Sequence, residues 1–318
     1  MELPLEPSRL VPNSLKCRFC ASQDLKYSKK QRTILFDNEK FLFVKCNNCK
    51  SYFLFPELSD RQIKNLYSID YVQDNPHFSI QDGPSENTWQ YLDAINRLKS
   101  HNFPKGSKIL DYGCGANSNI LNAACSMGLL PYGVEFDAKV RLLASKNSGA
   151  TILSPEELVK RSEKFEVIFL GDVLEHLNNP AELLNLLSNK LTKNGFILVQ
   201  NPLQGAGTLL NFSLDLLAVL TPFKFSKFPP YHVNLFTLKG MISLGFRCNL
   251  SAVKVRVFEV DWPAPTWTAL LHNSNLRSAL LFALKSIDKA FSNLWRTYGT
   301  RVILEYQTYD SLQDLHVN

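Results

Sequence analysis

The sequence predicts an α/β protein, a mostly parallel sheet with helices on its faces, preceded by a small metal-binding ribbon. Three observations carry this expectation. Apolar strands alternate with helical stretches from Lys108 onward, a pattern that favours parallel strands joined by right-handed crossovers. The first of these strands runs into a glycine turn, Asp111-Tyr112-Gly113-Cys114-Gly115. Two C-x-x-C pairs, Cys17 with Cys20 and Cys46 with Cys49, stand ahead of the sheet.

Residues 1–56 read as the ribbon. Thiolates at this spacing close a tetrahedral site, and zinc suits four sulfurs. Between the pairs, Ile34, Phe36, Phe41 and Phe43 alternate with polar residues, as a hairpin requires. Disulfides or a redox-active C-x-x-C are the other readings. The acidic, proline-broken start from Met1 to Pro7 is no signal peptide, so a cytoplasmic chain with reduced thiols is expected. Cys114, Cys125 and Cys248 stand alone and read as core or turn residues. Residues 57–107 form a linker and leading helix: a polar segment from Glu57 to Gly83 with Tyr67 and Tyr71, then a helix over Ser85 to Lys99.

The third part, residues 108–310, holds the sheet. Ile109 and Leu110 lead to Asp111; Gly113 and Gly115 let the backbone turn before a helix over Ile120 to Met127. Bare backbone and a helix N-terminus then face any polar ligand over the strand end. The second strand ends at Glu135, about 20 residues beyond the glycine turn, where a carboxylate can accept both hydroxyls of a ribose. Asp137 reads as a helix-start residue. A short third strand, Ala150 to Leu153, precedes Ser154-Pro155-Glu156-Glu157, which reads either as a capped helix start or as an acid beside a ligand. The fourth strand, Phe165 to Leu170, runs into Gly171-Asp172-Val173-Leu174-Glu175-His176-Leu177. A turn at Lys193-Asn194-Gly195 precedes a fifth, Phe196 to Gln200. An apolar insert covers about residues 203–235. A sixth strand over Ala252 to Val260, a helical stretch over 266–295 and a last strand over Thr300 to Tyr306 complete the order.

The D-x-G-x-G order at Asp111 resembles motif I of the class I S-adenosylmethionine-dependent methyltransferases. A dehydrogenase G-x-G-x-x-G would place its third glycine at Ser118. The text from Asp172 to Leu177, followed by Asn179-Pro180, resembles the D-V-L-E-H-L signature after strand four in many small-molecule methyltransferases. The resemblance implies the Rossmann-like sheet of seven strands, the last slipped antiparallel beside the sixth. It also implies S-adenosylmethionine held by Asp111, Gly113, Gly115 and Glu135, with Asp172 facing its methionine part. The segment Tyr231-His232-Val233-Asn234-Leu235-Phe236-Thr237 resembles an acceptor-facing H-x-x-x-F-S stretch. His232 is thereby the first candidate base, with an ordinary imidazole pKa of about 6.5 suited to neutral pH. His176 is the second, and Tyr71 and Tyr231 border the acceptor. Asn117 stands where motif I usually has a further glycine, which predicts weaker cofactor binding.

The combination of zinc ribbon and methyltransferase core is similar to bacterial enzymes acting on sugars. A nucleotide sugar or glycan precursor is thus the expected acceptor. Nucleotide-sugar C-methyltransferases add a large C-terminal domain not found in this sequence, so their substrate does not simply carry over. A chain of 318 residues, 45% apolar, is ample for a packed core, and its net charge of +6 permits anionic partners without pointing to nucleic acid. No run reaches the roughly 18 apolar residues that span a bilayer. The insert, with Lys224 and Lys227 at its end, reads as a lid or as a peripheral membrane contact through residues 209–227. An RNA methyltransferase gripping RNA through Lys26 to Arg32 is the competing function. A cofactor-binding protein without catalysis is the third.

Overall fold

The structure is a computed structural model that describes residues 11–28, 33–67, 89–205, 207–213, 229–260 and 276–309. The ribbon contains β1 (Leu25–Tyr27), β2 (Ile34–Phe36), β3 (Glu39–Cys46) and β4 (Tyr52–Phe55). Strands β2 and β3 pair across a turn at Asp37 and Asn38, both at positive φ, the conformation a two-residue hairpin demands. A short helix, α1 (Asp60–Leu66), follows where the sequence suggested only a polar segment. Its cause is local: Ser59 and Gln62 form a capping box, and Leu66 is buried against the ribbon. Tyr71 falls outside the described residues. Helix α2 (Trp89–Ser100) covers most of the expected leading helix, and residues 85–88 lie outside the described residues.

The core follows as β5 (Lys108–Tyr112), α3 (Asn119–Ser126), β6 (Leu130–Val134), α4 (Ala138–Ser148), β7 (Thr151–Leu153), α5 (Pro155–Lys160) and β8 (Phe165–Gly171). After a single 3₁₀ turn, Leu174–His176, come α6 (Pro180–Ser188), β9 (Leu191–Pro202), β10 (Asn234–Leu235), α7 (Leu238–Arg247), β11 (Leu250–Phe258), α8 (Leu276–Leu294) and β12 (Arg301–Thr308). Side chains at the helix starts accept from the free first-turn N–H groups: Ser118, Asp137, Ser154, Asn179 and Thr237. Ser154 and Glu157 form a capping box, the capped helix start among the two readings.

The large sheet has the order β11-β12-β9-β8-β5-β6-β7. It is parallel from β9 to β7, and β12 lies antiparallel between β9 and β11. This is the mostly parallel seven-stranded arrangement that the resemblance implied. Strand β9 starts earlier than expected. Phe165 already pairs with Leu191 and Val167 with Phe196, so Lys193-Asn194-Gly195 bulges within the strand instead of preceding it.

The ribbon does not stand apart. Strand β10, at the end of the insert, pairs with β4 through Asn234 with Phe53 and Leu235 with Tyr52. Phe19 of the first cysteine pair packs on Phe53 and Phe236, with ring centroids 6.1 and 4.7 Å away. Thr237 Oγ1 donates to Cys49 O (2.6 Å), and Arg247 donates to Arg18 O (2.5 Å). Cys17, Cys46 and Cys49 belong to the same buried cluster as Ile168, Leu170, Ile197 and Tyr306 of the large sheet. Ribbon and sheet therefore share one core.

Of the insert, residues 209–213 form a helical turn whose first amides, on Leu209 and Leu210, donate to the buried Asp288 carboxylate (2.9 Å each). Residues 214–228, with Asp215, Lys224 and Lys227, lie outside the described residues, as do 29–32 of the basic segment. Among the described residues, no helix is long and apolar enough to cross a membrane.

Candidate active site

The carboxyl ends of β5, β6 and β8 bring together most of the residues singled out in the sequence. Gly113 and Gly115 adopt φ of +78° and +60°. A Cβ on Gly113 would lie 2.8 Å from Val173 Cγ2, so this glycine lets the turn after β8 pack against the turn after β5. A Cβ on Gly115 would meet nothing within 4 Å, which leaves open space beside the backbone there. Asn117 is not among the residues with positive φ. Its side chain instead accepts from Asn147 Nδ2 at 2.6 Å, so the loop needs no glycine at that place and the expected penalty has no conformational basis.

Three carboxylates surround this turn. Asp111 is buried and accepts from Ser118 Oγ at 2.5 Å, while the same hydroxyl accepts from Leu121 N to cap α3. Burial pushes the Asp111 carboxyl up to about 7; the Ser118 hydrogen bond opposes the shift and Glu135 adds to it. Glu135 is half-buried, with Oε2 accepting from Gly115 N (3.1 Å) and Oε1 from Phe136 N (2.7 Å). Its carboxylate thus ties the end of β6 to the glycine turn. Asp172, at φ +55°, forms an ion pair with Arg301 Nη2 at 2.5 Å. Beside these groups, Gln200 and Asn201 at the end of β9 are buried, with both polar side-chain atoms of Gln200 and Oδ1 of Asn201 lacking a hydrogen-bond partner. Open backbone at Gly115 and orphaned amides at a strand end fit a polar ligand that supplies both donors and acceptors.

A second constellation sits on the 3₁₀ turn after β8. His176 Nδ1 lies 2.7 Å from Tyr231 O and 2.9 Å from Tyr67 Oη, and Tyr67 also donates to Tyr231 O at 2.7 Å. His232 Nδ1 lies 2.7 Å from Gln204 Oε1, and the two imidazoles meet edge to face with centroids 5.0 Å apart. Tyr231 is thus held by its carbonyl. Glu175 is 1% exposed, and neither of its carboxylate oxygens accepts a hydrogen bond. Burial raises the Glu175 pKa well above its ordinary value, with Asp172 adding to the shift. Burial lowers His176, and lowers His232 to about 3 with help from His176 and Arg301. His232 is therefore neutral, and a much weaker base than the ordinary imidazole assumed from sequence.

Tyr67, Glu175, Gln204 and Arg301 were not singled out from sequence as site residues. Arg301 opens a strand remote in sequence, and its pairing with Asp172 follows only from β12 inserting next to β9. Glu175 was legible as part of its motif, but its lack of a partner was not.

The ribbon forms the third cluster. Cys17 Sγ and Cys49 Sγ are 3.6 Å apart, and Cys20 Sγ and Cys46 Sγ 3.5 Å. All four sulfurs lie within 4.8 Å of one another. These separations exceed any disulfide bond. They approach the edge of a tetrahedron with metal–sulfur bonds of about 2.3 Å.

Comparison with known proteins adds an independent line. The sequence profile of a family described as a methyltransferase domain matches residues 86–254. Ubiquinone biosynthesis O-methyltransferase of Glaesserella parasuis is 26% identical over 106 residues, 30% of this chain and 44% of that protein. The protein of the same name from Pelagibacter ubique is 29% identical over 111 residues, 32% of this chain and 45% of its own length. The chain thus spans less than half the length of these curated relatives. Among solved structures, magnesium protoporphyrin IX methyltransferase of Synechocystis, crystallised with bound S-adenosylhomocysteine, is 15% identical. The match covers 68% of this chain and 80% of that one, with a TM-score of 0.43.

Proposed function

The chain belongs to the methyltransferase-domain family, and we propose that it transfers a methyl group from S-adenosylmethionine to a hydroxyl of a small-molecule acceptor, a sugar or glycan precursor. One observation carries the reading: Asp111, Gly113, Gly115, Glu135 and Asp172 converge at the carboxyl edge of a parallel sheet, around backbone that is open to a ligand. In this assignment Glu135 takes the ribose hydroxyls, Gly113 and Gly115 let the cofactor lie against bare backbone, and Asp111 and Asp172 flank its amino-acid part. The cofactor supplies a methyl already bonded to a good leaving group. The protein's work is then to align the acceptor oxygen, exclude water and ease removal of the acceptor's proton.

The acceptor side is assigned to His232 and His176, with Tyr231, and Tyr71 by expectation, at its border. The four ribbon cysteines are assigned one structural zinc, supported by sulfur separations that fit a tetrahedron. A phenolic hydroxyl is the second acceptor class, suggested by the names of the two curated relatives.

Calorimetric titration with S-adenosylmethionine tests the cofactor assignment. Glu135→Ala removes charge-assisted hydrogen bonds worth up to about 1.5–3 kcal/mol each, so binding should weaken at least tenfold. NADH binding with no response to S-adenosylhomocysteine would overturn it. Transfer of labelled methyl, screened over nucleotide sugars, lipid-linked glycans, phenols and RNA, identifies the acceptor. Transfer to RNA alone would reject the small-molecule reading.

A further inference from the structure

We propose that Glu175, His176 and His232 together bind one divalent first-row cation, and that this cation seats the acceptor hydroxyl opposite the glycine turn. The proposal deepens the acceptor-side assignment above and rests on it only for the cation's purpose, not for its binding.

The geometry is that of a three-ligand site. One donor atom from each of the three residues lies within 4.8 Å of the others, and His176 Nε2 is 3.8 Å from Glu175 Oε1. Donors bound to a cation at about 2.1 Å lie roughly 3–4 Å apart, so small side-chain rotations close the set. Both imidazoles have Nδ1 committed to an acceptor. The Nδ1–H of His176 points to Tyr231 O and that of His232 to Gln204 Oε1, each at 2.7 Å. Those bonds fix the tautomer that leaves a lone pair on each Nε2, the arrangement by which metal-ligating histidines are generally held.

The backbone ties the two halves together. Val233 N donates to Glu175 O at 2.8 Å, and Asn234 Nδ2 donates to Leu174 O and Leu177 O at 2.9 and 2.7 Å. The turn bearing Glu175 and His176 therefore moves with the segment bearing His232.

Glu175 is the independent sign of a ligand. A carboxylate removed from water with no donor is costly, and so is a neutral carboxyl that bonds to nothing. Protonated Glu175 donating to His176 would answer the cost, but 3.8 Å is too long for that bond. Arg301 spends Nη2 on Asp172, and its buried Nε, though without a partner of its own, makes no hydrogen bond to Glu175. Tyr67 spends its hydroxyl proton on Tyr231 O. A cation between Glu175 and the two Nε2 atoms satisfies all three at once.

Two imidazoles and one carboxylate suit zinc, iron(II), cobalt(II) or manganese(II), and leave positions open. An acceptor hydroxyl in an open position becomes more acidic, as cation-bound water does, and releases its proton to solvent. This supplies proton removal without a strongly basic side chain. It favours an acceptor with a second oxygen next to the hydroxyl, such as a vicinal diol or catechol, which fills two positions.

Cobalt(II) separates this site from the ribbon, because thiolate ligation gives charge-transfer absorption and nitrogen–oxygen ligation does not. Metal-free full-length protein is titrated with Co2+, reading absorption and metal per chain. The expected result is one equivalent with ligand-field bands alone, lost in both Glu175→Gln and His232→Ala, while ribbon charge transfer stays unchanged. S-adenosylhomocysteine affinity within about threefold of wild type shows that the variants are folded; its loss in wild type would instead sink the cofactor reading. If every bound Co2+ in the wild type carries thiolate charge transfer, or the extra equivalent survives both substitutions, the cation site does not exist.

Discussion

At the residue scale, Asp111 has the clearest physical signature. Its carboxyl is enclosed by the core at the end of β5, with Ser118 Oγ as donor. In the unfolded chain it titrates at its ordinary value, near 3.8, but in the folded protein at about 7. Between those pH values the folded state holds a proton that the unfolded state has released, so stability falls as pH rises through the window. Above about pH 7 the full penalty, roughly 4 kcal/mol at the linkage constant of 1.36 kcal/mol per unit, is in place. Asp111→Asn keeps an acceptor for Ser118 and removes the titration. Its melting temperature should match that of wild type near pH 4 and exceed it by a growing margin up to about pH 8. A constant difference across the range would mean that Asp111 is ionised at all these pH values in the folded protein. A residue placed from sequence by its motif thus has a property, protonation near neutrality, that only enclosure by the sheet confers.

At the element scale, the two glycines after β5 are separable. Gly113→Ala meets both positive φ and a 2.8 Å contact with Val173, so the turn after β8 must shift. A loss of about 1–3 kcal/mol in unfolding free energy is expected, seen in denaturant midpoints. Gly115→Ala meets positive φ alone, and its methyl enters the open space. It should cost about 1 kcal/mol in stability and yet reduce S-adenosylmethionine affinity more than Gly113→Ala does. Equal affinity in the Gly115 variant would show that the cofactor does not approach that backbone. These elements were legible in the sequence because strand, acid and glycine are local signals. The position of β12 came from the family resemblance; the bulge at 192–195 and the Asp172–Arg301 pair were not legible, because each is set by which strand lies alongside and not by neighbours in the chain. The Asp60–Leu66 helix had a local signal in Ser59 and Gln62, but it is too short to show an apolar period. At Asn117 a family pattern suggests a glycine where the backbone here does not take positive φ.

At the scale of the whole molecule, the ribbon behaves as a wall of the core. Its sheet is completed by β10, which ends the insert and starts two residues after His232, and its cysteines pack in the cluster that holds β8 and β9. Loss of metal from Cys17, Cys20, Cys46 and Cys49 would leave four thiols, three of them fully enclosed, pressed together beside Phe19 and Phe236. Ribbons of this kind draw on the order of 10 kcal/mol from zinc when isolated. The zinc assigned to the four cysteines would share that contribution with the surrounding core, so its loss should reach the α/β unit. Either Cys46→Ala or a strong chelator is expected to lower a single calorimetric transition, by about 2–4 °C for each kcal/mol lost. The same treatment should loosen the segment from Tyr231 to Thr237, read as faster amide hydrogen exchange at Asn234 and Leu235, whose strand pairs with β4. Two separate transitions, with only the lower one responding to the chelator, would show that ribbon and sheet fold independently and that acceptor-side geometry does not depend on zinc.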